Sequence, residues 1–590
     1  MNWLTASPRR LRILLPLGIV LLAVGTMLVG VGHPDRIFFD EVYYVNDARD
    51  FLEFGVEQGF VVHPPLGKLL IASGIHVFGD DPFGWRVVGA VLGVASVWLV
   101  WLIARRLGLR LAAAALAGIA LALDGVFVAQ ARTSMLDIHL GFFVLLGTWA
   151  LVMDLTRVRR ADDAVLAADE RSRTRVQAPP GSWAAEQEAA AAVAAGEPTD
   201  LGPVPSATPR GELQLPRVSR WWLLLAGAAF GAAIAVKWSG ALAMLAAGLV
   251  WLGMELARRR RVTGRFTRHL PRALGLGVIA LAVVPAVVYA LSWTPWFVAF
   301  DDTYEASSHC APNGDELDCD GVVGRGRALV DYHERMIGFH LDLEAEHAYR
   351  AAAWNWPIQR RPVVFYYETC SQDRLDRVEK TNDDGEVEVP EPCRVAPGQA
   401  AEIFDLGNVA TWWLLLAGLP ILGLLLRRRD PAAWVVAVFY AVQFLPWLVV
   451  ARPVFNFYTV PLVPFVVLGL ALAVDRISSR DAWLSAMAAG AVAAGAVLLG
   501  SYGLELLDVG ITEVGRWYAV GVGALVGGAL SPQLPGVATG PDLDRPRRRW
   551  PTLSVVALVV AVGLFFLPLW TGVSAPSWFI KSHWWLSTWI

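Results

Sequence analysis

The chain has 590 residues, of which 55% are hydrophobic and 17% are charged, and it contains 26 tryptophans. This composition excludes an ordinary soluble domain and indicates an integral membrane protein. The formal net charge of −3 gives no reason to expect a nucleic-acid partner.

Apolar segments long enough to cross a bilayer, about 20 residues each, recur along the chain. The predicted spans lie near 12–31, 87–104, 111–130, 138–153, 221–236, 239–257, 273–292, 409–426, 432–450, 458–474, 483–500, 517–530 and 552–570. The first segment lacks a convincing small-residue cleavage site, so we interpret it as a span and not as a signal peptide. We therefore predict an all-α integral membrane protein with about 11–13 transmembrane helices and amphipathic helices in its outer loops.

Arginine clusters set the orientation, because positively charged loops stay in the cytoplasm. Arg9, Arg10 and Arg12 place the N-terminus there, and every second connection after it is also rich in arginine. Two large loops, 32–86 and 293–405, then face outward together with the C-terminus. The sequence thus predicts a multi-pass protein of the cytoplasmic (inner) membrane with its active site on the extracytoplasmic side.

These loops divide the chain into five parts. They are an N-terminal membrane part with the first outer loop (1–160), a cytoplasmic segment (161–219), membrane helices (220–292), an outer loop domain (293–405) and C-terminal membrane helices (406–590). The cytoplasmic segment is rich in Ala, Pro, Glu and Arg and lacks sustained apolar periodicity. That pattern predicts a mostly disordered linker.

The first outer loop carries two adjacent carboxylates, Asp40 and Glu41, just past the first span. Carboxylates are costly near hydrocarbon, which favours a chemical role at the membrane surface. Apolar residues at helical spacing predict an amphipathic surface helix over 43–58. The His-Pro-Pro sequence at 63–65 ends that helix and begins another, with Lys68 in its first turn. The alternative is an ordinary solvated loop.

Further charged residues lie near the outer ends of later spans. Arg132 and Asp137 form either a buried structural ion pair or a site for an anionic head group, and the sequence favours neither. Lys237 lies at a similar depth, and Arg452 precedes a segment rich in aromatic residues. Together with Lys68, these cations would suit a phosphate. A single carboxylate base beside a phosphate leaving group would invert the sugar carbon that it helps to attack.

All four cysteines fall in the second outer loop, which indicates an oxidising compartment and two disulfides. Four cysteines allow three connectivities. We expect the short closures Cys310–Cys319 and Cys370–Cys393, and four free thiols are the alternative. No C-x-x-C spacing is present, so we expect no metal ion on these thiols.

Six stretches of sequence occur in the order FFDEVYYVNDA, HPPLGKLLI, LDGVFVAQARTSMLD, AVKWSG, WNWPIQRRPVVFYY and RPVFNFYTVPLVPF. This combination resembles the protein O-mannosyltransferases, which are membrane glycosyltransferases of the GT-C fold. The resemblance covers roughly residues 38–465. The long outer loop lacks room for the β-trefoil-type domain of eukaryotic members, so the chain resembles the bacterial ones.

The resemblance implies a polyprenyl-phosphate mannose donor and transfer, with inversion, to Ser/Thr hydroxyls of secreted proteins near the secretion channel. It implies Asp40 as the catalytic base, Glu41 as an aid to acceptor positioning and Arg132 as a ligand of the donor phosphate. Further pocket residues that it implies are His63, Lys68, Asp137, Lys237 and Trp238. It also implies that the segment Trp354–Tyr367, with Arg361, covers the lipid-phosphate site.

Two other functions stay open. One is a GT-C transferase of another lipid-linked sugar, and the other is a non-enzymatic transporter of lipid-linked sugars. Polar residues gathered at one membrane face favour an enzyme, because a transporter binds its substrate near the midplane. An Asp-Glu pair is able to bind a divalent cation, but no partner ligands are evident. We therefore expect neither metal nor cofactor, and activity that survives EDTA.

Overall fold

The computed structural model describes residues 8–59, 62–177, 213–308, 310, 319, 321–343, 347–370, 380–381, 387–388, 393–476 and 550–589. Two of the predicted spans, 483–500 and 517–530, lie outside these residues.

Helices make up most of the described chain. The first seven are α1 (Pro8–Ala23), α2 (Glu41–Glu53), α3 (Leu66–Phe78), α4 (Pro82–Arg106), α5 (Leu111–Ala122), α6 (Gly125–Ala131) and α7 (Leu136–Gln177). The next seven are α8 (Trp221–Val236), α9 (Gly240–Thr263), α10 (Leu270–Val278), α11 (Val284–Ser292), α12 (Thr294–Val298), α13 (Tyr304–Ser308) and α14 (Gly321–Leu341). The last five are α15 (Val409–Arg427), α16 (Pro431–Phe444), α17 (Val463–Arg476), α18 (Trp550–Thr571) and α19 (Ser577–Lys581).

Single π-helical turns extend or join some of these helices, and short 3₁₀ turns punctuate the loops. The π turns are Val24–Leu28 after α1 and Ile279–Val283 between α10 and α11. The 3₁₀ turns are Phe300–Asp302, Ala353–Ile358, Leu445–Leu448, Asn456–Thr459 and Ser587–Trp589.

The membrane helices agree with the predicted spans. Among the described residues, eight helices are long and apolar enough to cross a membrane, or nine if the bent pair α5–α6 counts as one span. Each predicted span that falls on described residues coincides with a helix. The predicted membrane fold of helices is confirmed.

The predicted linker 161–219 is wrong in its first part, because α7 continues to Gln177. An ion pair of 2.9 Å between Arg258 of α9 and Asp162 holds this extension of the helix. Residues 178–212 lie outside the described residues, so the linker stays a prediction there.

The first outer loop folds nearly as predicted. The surface helix α2 begins at Glu41 and ends at Glu53, earlier than the predicted end, because Gly55 adopts a positive φ of 77° that a helix does not continue through. Helix α3 begins directly after Pro65, as the His-Pro-Pro sequence predicts. Lys68 accordingly lies in its first turn.

The second outer loop contains a sheet that the all-α prediction missed. Strands β1 (Val363–Thr369), β4 (Gln399–Asp405) and β5 (Ala575–Pro576) pair antiparallel in the order β1-β4-β5. A separate pair consists of β2 (Lys380–Thr381) and β3 (Val387–Glu388). Because β5 follows the last membrane helix, the sheet joins the loop to the C-terminal region.

Both predicted disulfides, Cys310–Cys319 and Cys370–Cys393, are formed. The second one joins the end of β1 to the segment before β4, and so closes the connection between the two long strands. The short-range pairing of the cysteines is therefore confirmed.

Helix α14 is the amphipathic helix of the second outer loop. Its buried residues recur every fourth position, at Gly324, Ala328, Tyr332 and Met336, which places them on one face. Apolar residues such as Val330 are exposed elsewhere on the helix. The buried face packs toward the first outer loop, since Tyr332 donates a hydrogen bond to Glu57.

Small residues allow α8 and α10–α11 to approach closely. A Cβ atom added at Gly227 would lie 1.7 Å from the carbonyl oxygen of Ala280, and one at Gly231 would lie 2.7 Å from the Cα of Pro285. Close backbone approach through small residues is how membrane helices gain packing energy without a hydrophobic driving force. This contact fixes the helix that leads to Lys237.

We predict that Gly227→Ala destabilises the protein by about 1–3 kcal/mol, because the added methyl group meets a backbone oxygen that cannot move aside. The check is thermal unfolding of the purified protein in detergent. Gly248→Ala is the matched control, since nothing lies within 4 Å of its added Cβ. Equal melting temperatures for the two variants would contradict the packing argument.

Candidate active site

Asp40 directly precedes α2 and is half-buried. Its carboxylate makes no capping hydrogen bond to α2. The neighbouring Phe39 has a positive φ of 53° and stacks on Phe365 of β1, with ring centroids 4.4 Å apart. Burial raises the pKa of Asp40 to about 6. The positive charge of Lys237 lowers this pKa, and the negative charge of Asp137 raises it.

Glu41 has a different environment. It is fully buried, and its two carboxylate oxygens accept hydrogen bonds from Arg86 at 2.7 and 2.8 Å. The backbone N–H of Ser134 donates to it at 2.9 Å. Arg86 is the buried first-turn arginine of α4. With both oxygens in hydrogen bonds, Glu41 has a structural role in this fold, and its role in acceptor positioning stays a prediction.

Lys237 and Asp137 form a buried ion pair at the junction of two membrane helices. The ammonium group lies 2.9 and 3.0 Å from the two carboxylate oxygens. Lys237 directly follows α8, and Asp137 lies in the first turn of α7, where a helix N-terminus favours a negative charge. The ammonium group also lies 4.6 Å from the ring centroid of Tyr458.

Arg452 contacts the same tyrosine from another direction. Its Nη2 donates to the hydroxyl oxygen of Tyr458 at 2.8 Å, and its Nη1 lies 2.7 Å from Nδ1 of His340. Tyr458 belongs to the 3₁₀ turn before α17, and His340 belongs to α14. Lys237 and Arg452 therefore both contact Tyr458, and the second outer loop contacts Arg452 through His340.

His63 and Trp238 line the same region. The ring centroids of His63 and His340 are 5.3 Å apart, and those of Trp238 and His340 are 6.0 Å apart. Burial and the positive charge of Lys237 hold the pKa of His63 well below its usual range. The His63 ring is therefore neutral at physiological pH.

We call this set the outer cluster. Its members are Asp40, His63, Asp137, Lys237, Trp238, His340, Arg452 and Tyr458. Six of them were predicted from the sequence, and the structure brings those six together. The other two were not predicted from the sequence. Tyr458 lies in the stretch RPVFNFYTVPLVPF, and His340 lies in a helix without any recognised motif.

Lys68 lies beside the outer cluster in a second group of charges. It is fully buried and forms ion pairs with Asp47 at 2.9 Å and Glu57 at 2.5 Å. Tyr332 of α14 donates to the other oxygen of Glu57. Lys68 therefore joins α2, α3 and α14, and its ammonium is already matched by two carboxylates.

Arg132 contacts the end of the first membrane segment. It is almost fully buried, and its Nη1 and Nη2 donate to the carbonyl oxygens of Val29 and Gly30, both at 2.7 Å. Its contact with the donor phosphate stays a prediction.

Arg361 also lies apart from the outer cluster. Its guanidinium donates to the carbonyl oxygens of Thr588 at 2.6 Å and Ala348 at 2.9 Å. It therefore holds the C-terminal segment against the second outer loop. The described contacts do not place it over a lipid-phosphate site.

No group of three or more His, Cys, Asp or Glu side chains suited to a metal ion occurs among the described residues. Independence from metal stays a prediction.

We predict that Glu41→Ala destabilises the protein by about 3–5 kcal/mol, because it leaves the Arg86 guanidinium buried without its counter-charge. Thermal unfolding in detergent measures the effect. Glu53→Ala, at an exposed position of the same helix, should change stability by less than about 0.5 kcal/mol. If both variants unfold alike, Glu41 is not the structural residue described above.

Comparisons with known proteins identify the family and the fold of this chain. Residues 62–166 match the family model described as dolichyl-phosphate-mannose-protein mannosyltransferase. Residues 326–506 match the C-terminal four-transmembrane region of protein O-mannosyltransferase. The second match shows that the resemblance extends past the quoted motifs into the C-terminal helices.

Two relatives carry the name polyprenol-phosphate-mannose–protein mannosyltransferase. The Mycobacterium tuberculosis protein is 31% identical over 479 residues, which cover 78% of this chain and 80% of the relative. The Corynebacterium glutamicum protein is 30% identical over 474 residues, which cover 75% of this chain and 78% of the relative.

Among solved structures, the S. cerevisiae protein O-mannosyltransferase Pmt1–Pmt2 complex bound to the sugar donor has a TM-score of 0.61 to this chain. The match covers 98% of this chain and 92% of that chain at 14% sequence identity. It confirms the predicted GT-C fold. With the identity and coverage of the bacterial relatives, it follows that this chain belongs to the polyprenol-phosphate-mannose–protein mannosyltransferase family.

Proposed function

We propose that this chain transfers mannose from a polyprenyl-phosphate mannose donor to Ser/Thr hydroxyls of secreted proteins at the outer face of the cytoplasmic membrane. Asp40 is the base, and the sugar carbon is inverted. The observation that carries this proposal is the outer cluster, in which a half-buried carboxylate lies near two cations that share Tyr458. The relatives' names support the donor and the type of acceptor.

Asp40 suits the role of base. A general base works best when its pKa lies near the operating pH, and burial raises that of Asp40 to about 6. The carboxylate accepts the proton of the Ser/Thr hydroxyl as its oxygen attacks C1 of mannose. The bond between C1 and the phosphate oxygen breaks on the opposite face, so a single displacement inverts the configuration at C1.

Lys237 and Arg452 suit the departing phosphate. Negative charge grows on the phosphate oxygens as the bond breaks, and fixed cations in a water-poor site stabilise that charge. Asp137 holds the Lys237 ammonium in place at 2.9 Å. Because the polyprenyl phosphate leaves as an anion, this step requires no general acid.

A small cavity lies beside this pair. Lys237, Asp137 and Ser239 supply polar lining, and Leu242, Trp447 and Leu462 supply apolar lining. Its volume of about 10 Å³ is that of a single water molecule, so a lipid phosphate would bind only after the cavity opens.

The directions of the helices support an outer-face site. Helix α9 begins beside Lys237 and ends in the arginine run 258–261, and α4 begins near Arg86 and ends at Arg106. The outer cluster thus lies at the opposite ends of these helices from their C-terminal arginine clusters. By the positive-inside rule, the arginine-rich ends are cytoplasmic.

We predict that Asp40→Asn lowers kcat by about 10²–10⁴-fold, the usual contribution of a positioned base. The assay follows transfer of radiolabelled mannose from its polyprenyl phosphate to a Ser/Thr-rich peptide in membranes. Glu53→Gln, at an exposed site on α2, is the control and should keep full activity. Transfer by Asp40→Asn at the wild-type rate would rule out Asp40 as the base.

A pH profile tests the same assignment independently. The base must be ionised, and its pKa is raised to about 6, so kcat/KM should be constant above about pH 7 and fall about tenfold per unit below about pH 5. The measurement is the initial rate at low substrate concentration, from about pH 4 to about pH 8. A fall centred near pH 4, about the ordinary value for aspartate, would show that the titrating base is not buried as Asp40 is.

A further inference from the structure

Helix α14 reaches the outer cluster through His340, which neither the sequence motifs nor the proposed reaction assigns. We propose that His340 is a positioning residue that orients the guanidinium of Arg452 toward the donor phosphate, and so makes the second outer loop part of the donor site. This inference rests on the proposed function, because it takes the phosphate of the lipid donor as the ligand of Arg452.

The hydrogen bonds of His340 fix the role of each ring nitrogen. Nε2 lies 3.0 Å from the carbonyl oxygen of Val62, which only accepts, so Nε2 carries the hydrogen. Nδ1 lies 2.7 Å from Nη1 of Arg452, which only donates, so Nδ1 is the acceptor. The ring must be neutral to do both, and burial with the charge of Arg452 lowers its pKa to about 4.

Arg452 needs such a partner because it lies in a loop. The nearby Val449 is 86% exposed, and the guanidinium itself is only half-buried. A long side chain there loses rotamer freedom when it is fixed. His340 and Tyr458 each bind one nitrogen of the guanidinium, at 2.7 and 2.8 Å, which holds the group at two points.

This arrangement leaves donors for an anion. A guanidinium has five N–H groups in a rigid planar fork, and the contacts to His340 and Tyr458 use one each. The rest are pre-oriented for phosphate oxygens, which bind arginine in a bidentate manner. His340 would therefore act on the donor through Arg452 and not by touching the sugar.

Helix α14 does not depend on His340 alone for its position. Tyr332, two turns earlier on the same face, donates to Glu57, and Met336 between them is fully buried. These contacts remain when His340 is replaced, so the effect on Arg452 is separable from loss of the helix.

Two half-isosteres separate the two hydrogen bonds. In His340→Asn the side-chain oxygen lies near the position of Nδ1 and still accepts from Arg452. In His340→Gln the amide nitrogen lies near the position of Nε2 and still donates to Val62. If His340 orients Arg452, only the asparagine variant should retain donor affinity.

The experiment measures the KM for polyprenyl-phosphate mannose, the KM for the peptide and kcat in the full-length chain. We expect a donor KM near the wild-type value for His340→Asn. For His340→Gln and His340→Ala we expect a rise of about tenfold, the loss of one hydrogen bond to a charged group. The peptide KM should stay within about twofold of wild type. In His340→Gln and His340→Ala, kcat at saturating donor should also fall, because Arg452 stabilises the departing phosphate as well. The exposed Glu334→Gln on the same helix is the control.

Binding of polyprenyl phosphate, without the sugar, to the purified protein gives a readout independent of catalysis. The same order of affinities should appear there: wild type and His340→Asn tight, His340→Gln and His340→Ala weak. Wild-type protein that binds the lipid phosphate but transfers no mannose would refute the proposed function and leave this inference standing. Equal affinities in all variants, an equal loss in Asn and Gln, or no binding by wild type would overturn the inference.

Discussion

The buried ion pair between Glu41 and Arg86 ties the start of α2 to the start of α4, and the place of Asp40 depends on it. The same guanidinium donates to the carbonyl oxygens of Pro34 at 2.8 Å and Arg36 at 2.7 Å, so it also holds the loop that leads to Asp40. A buried charge without its partner costs several kcal/mol. The loop therefore cannot shift without a large penalty, and Asp40 stays near Lys237.

Charges in and beside the outer cluster are matched in the same way. Asp137 pairs with Lys237, and Lys68 pairs with two carboxylates, so that each group joins different helices. Asp40 belongs to none of these pairs. Burial therefore raises its pKa, which is what a base that must release and take up a proton requires. Asp137, Asp47 and Glu57 are thus ion-paired, whereas Asp40, the proposed base, is not.

Residue type and spacing were enough to find most of this site. The two prolines before Leu66 and the lysine that follows them predicted the start of α3 and the charge in its first turn. Asp40, Lys237 and Arg452 were identified because charged residues beside apolar segments are costly and need a reason. The sequence did not separate Asp40 from Glu41, since adjacent residues point in different directions that only the surroundings reveal. The sequence also did not predict the structural role of Arg86, because a single arginine at the edge of a span is common.

The sequence by itself determined the membrane class, the helices, the pairing of nearby cysteines and the end of the helices at which the charges gather. Hydrophobic length and local spacing are sufficient for these properties, because each depends on neighbours in the chain. Tertiary structure decided which carboxylate is buried in an ion pair, that Arg132 binds the carbonyl oxygens after the first membrane segment, and that His340 reaches Arg452 from 112 residues away. Such contacts join residues distant in sequence, and the position of each partner is set by the packing of whole helices.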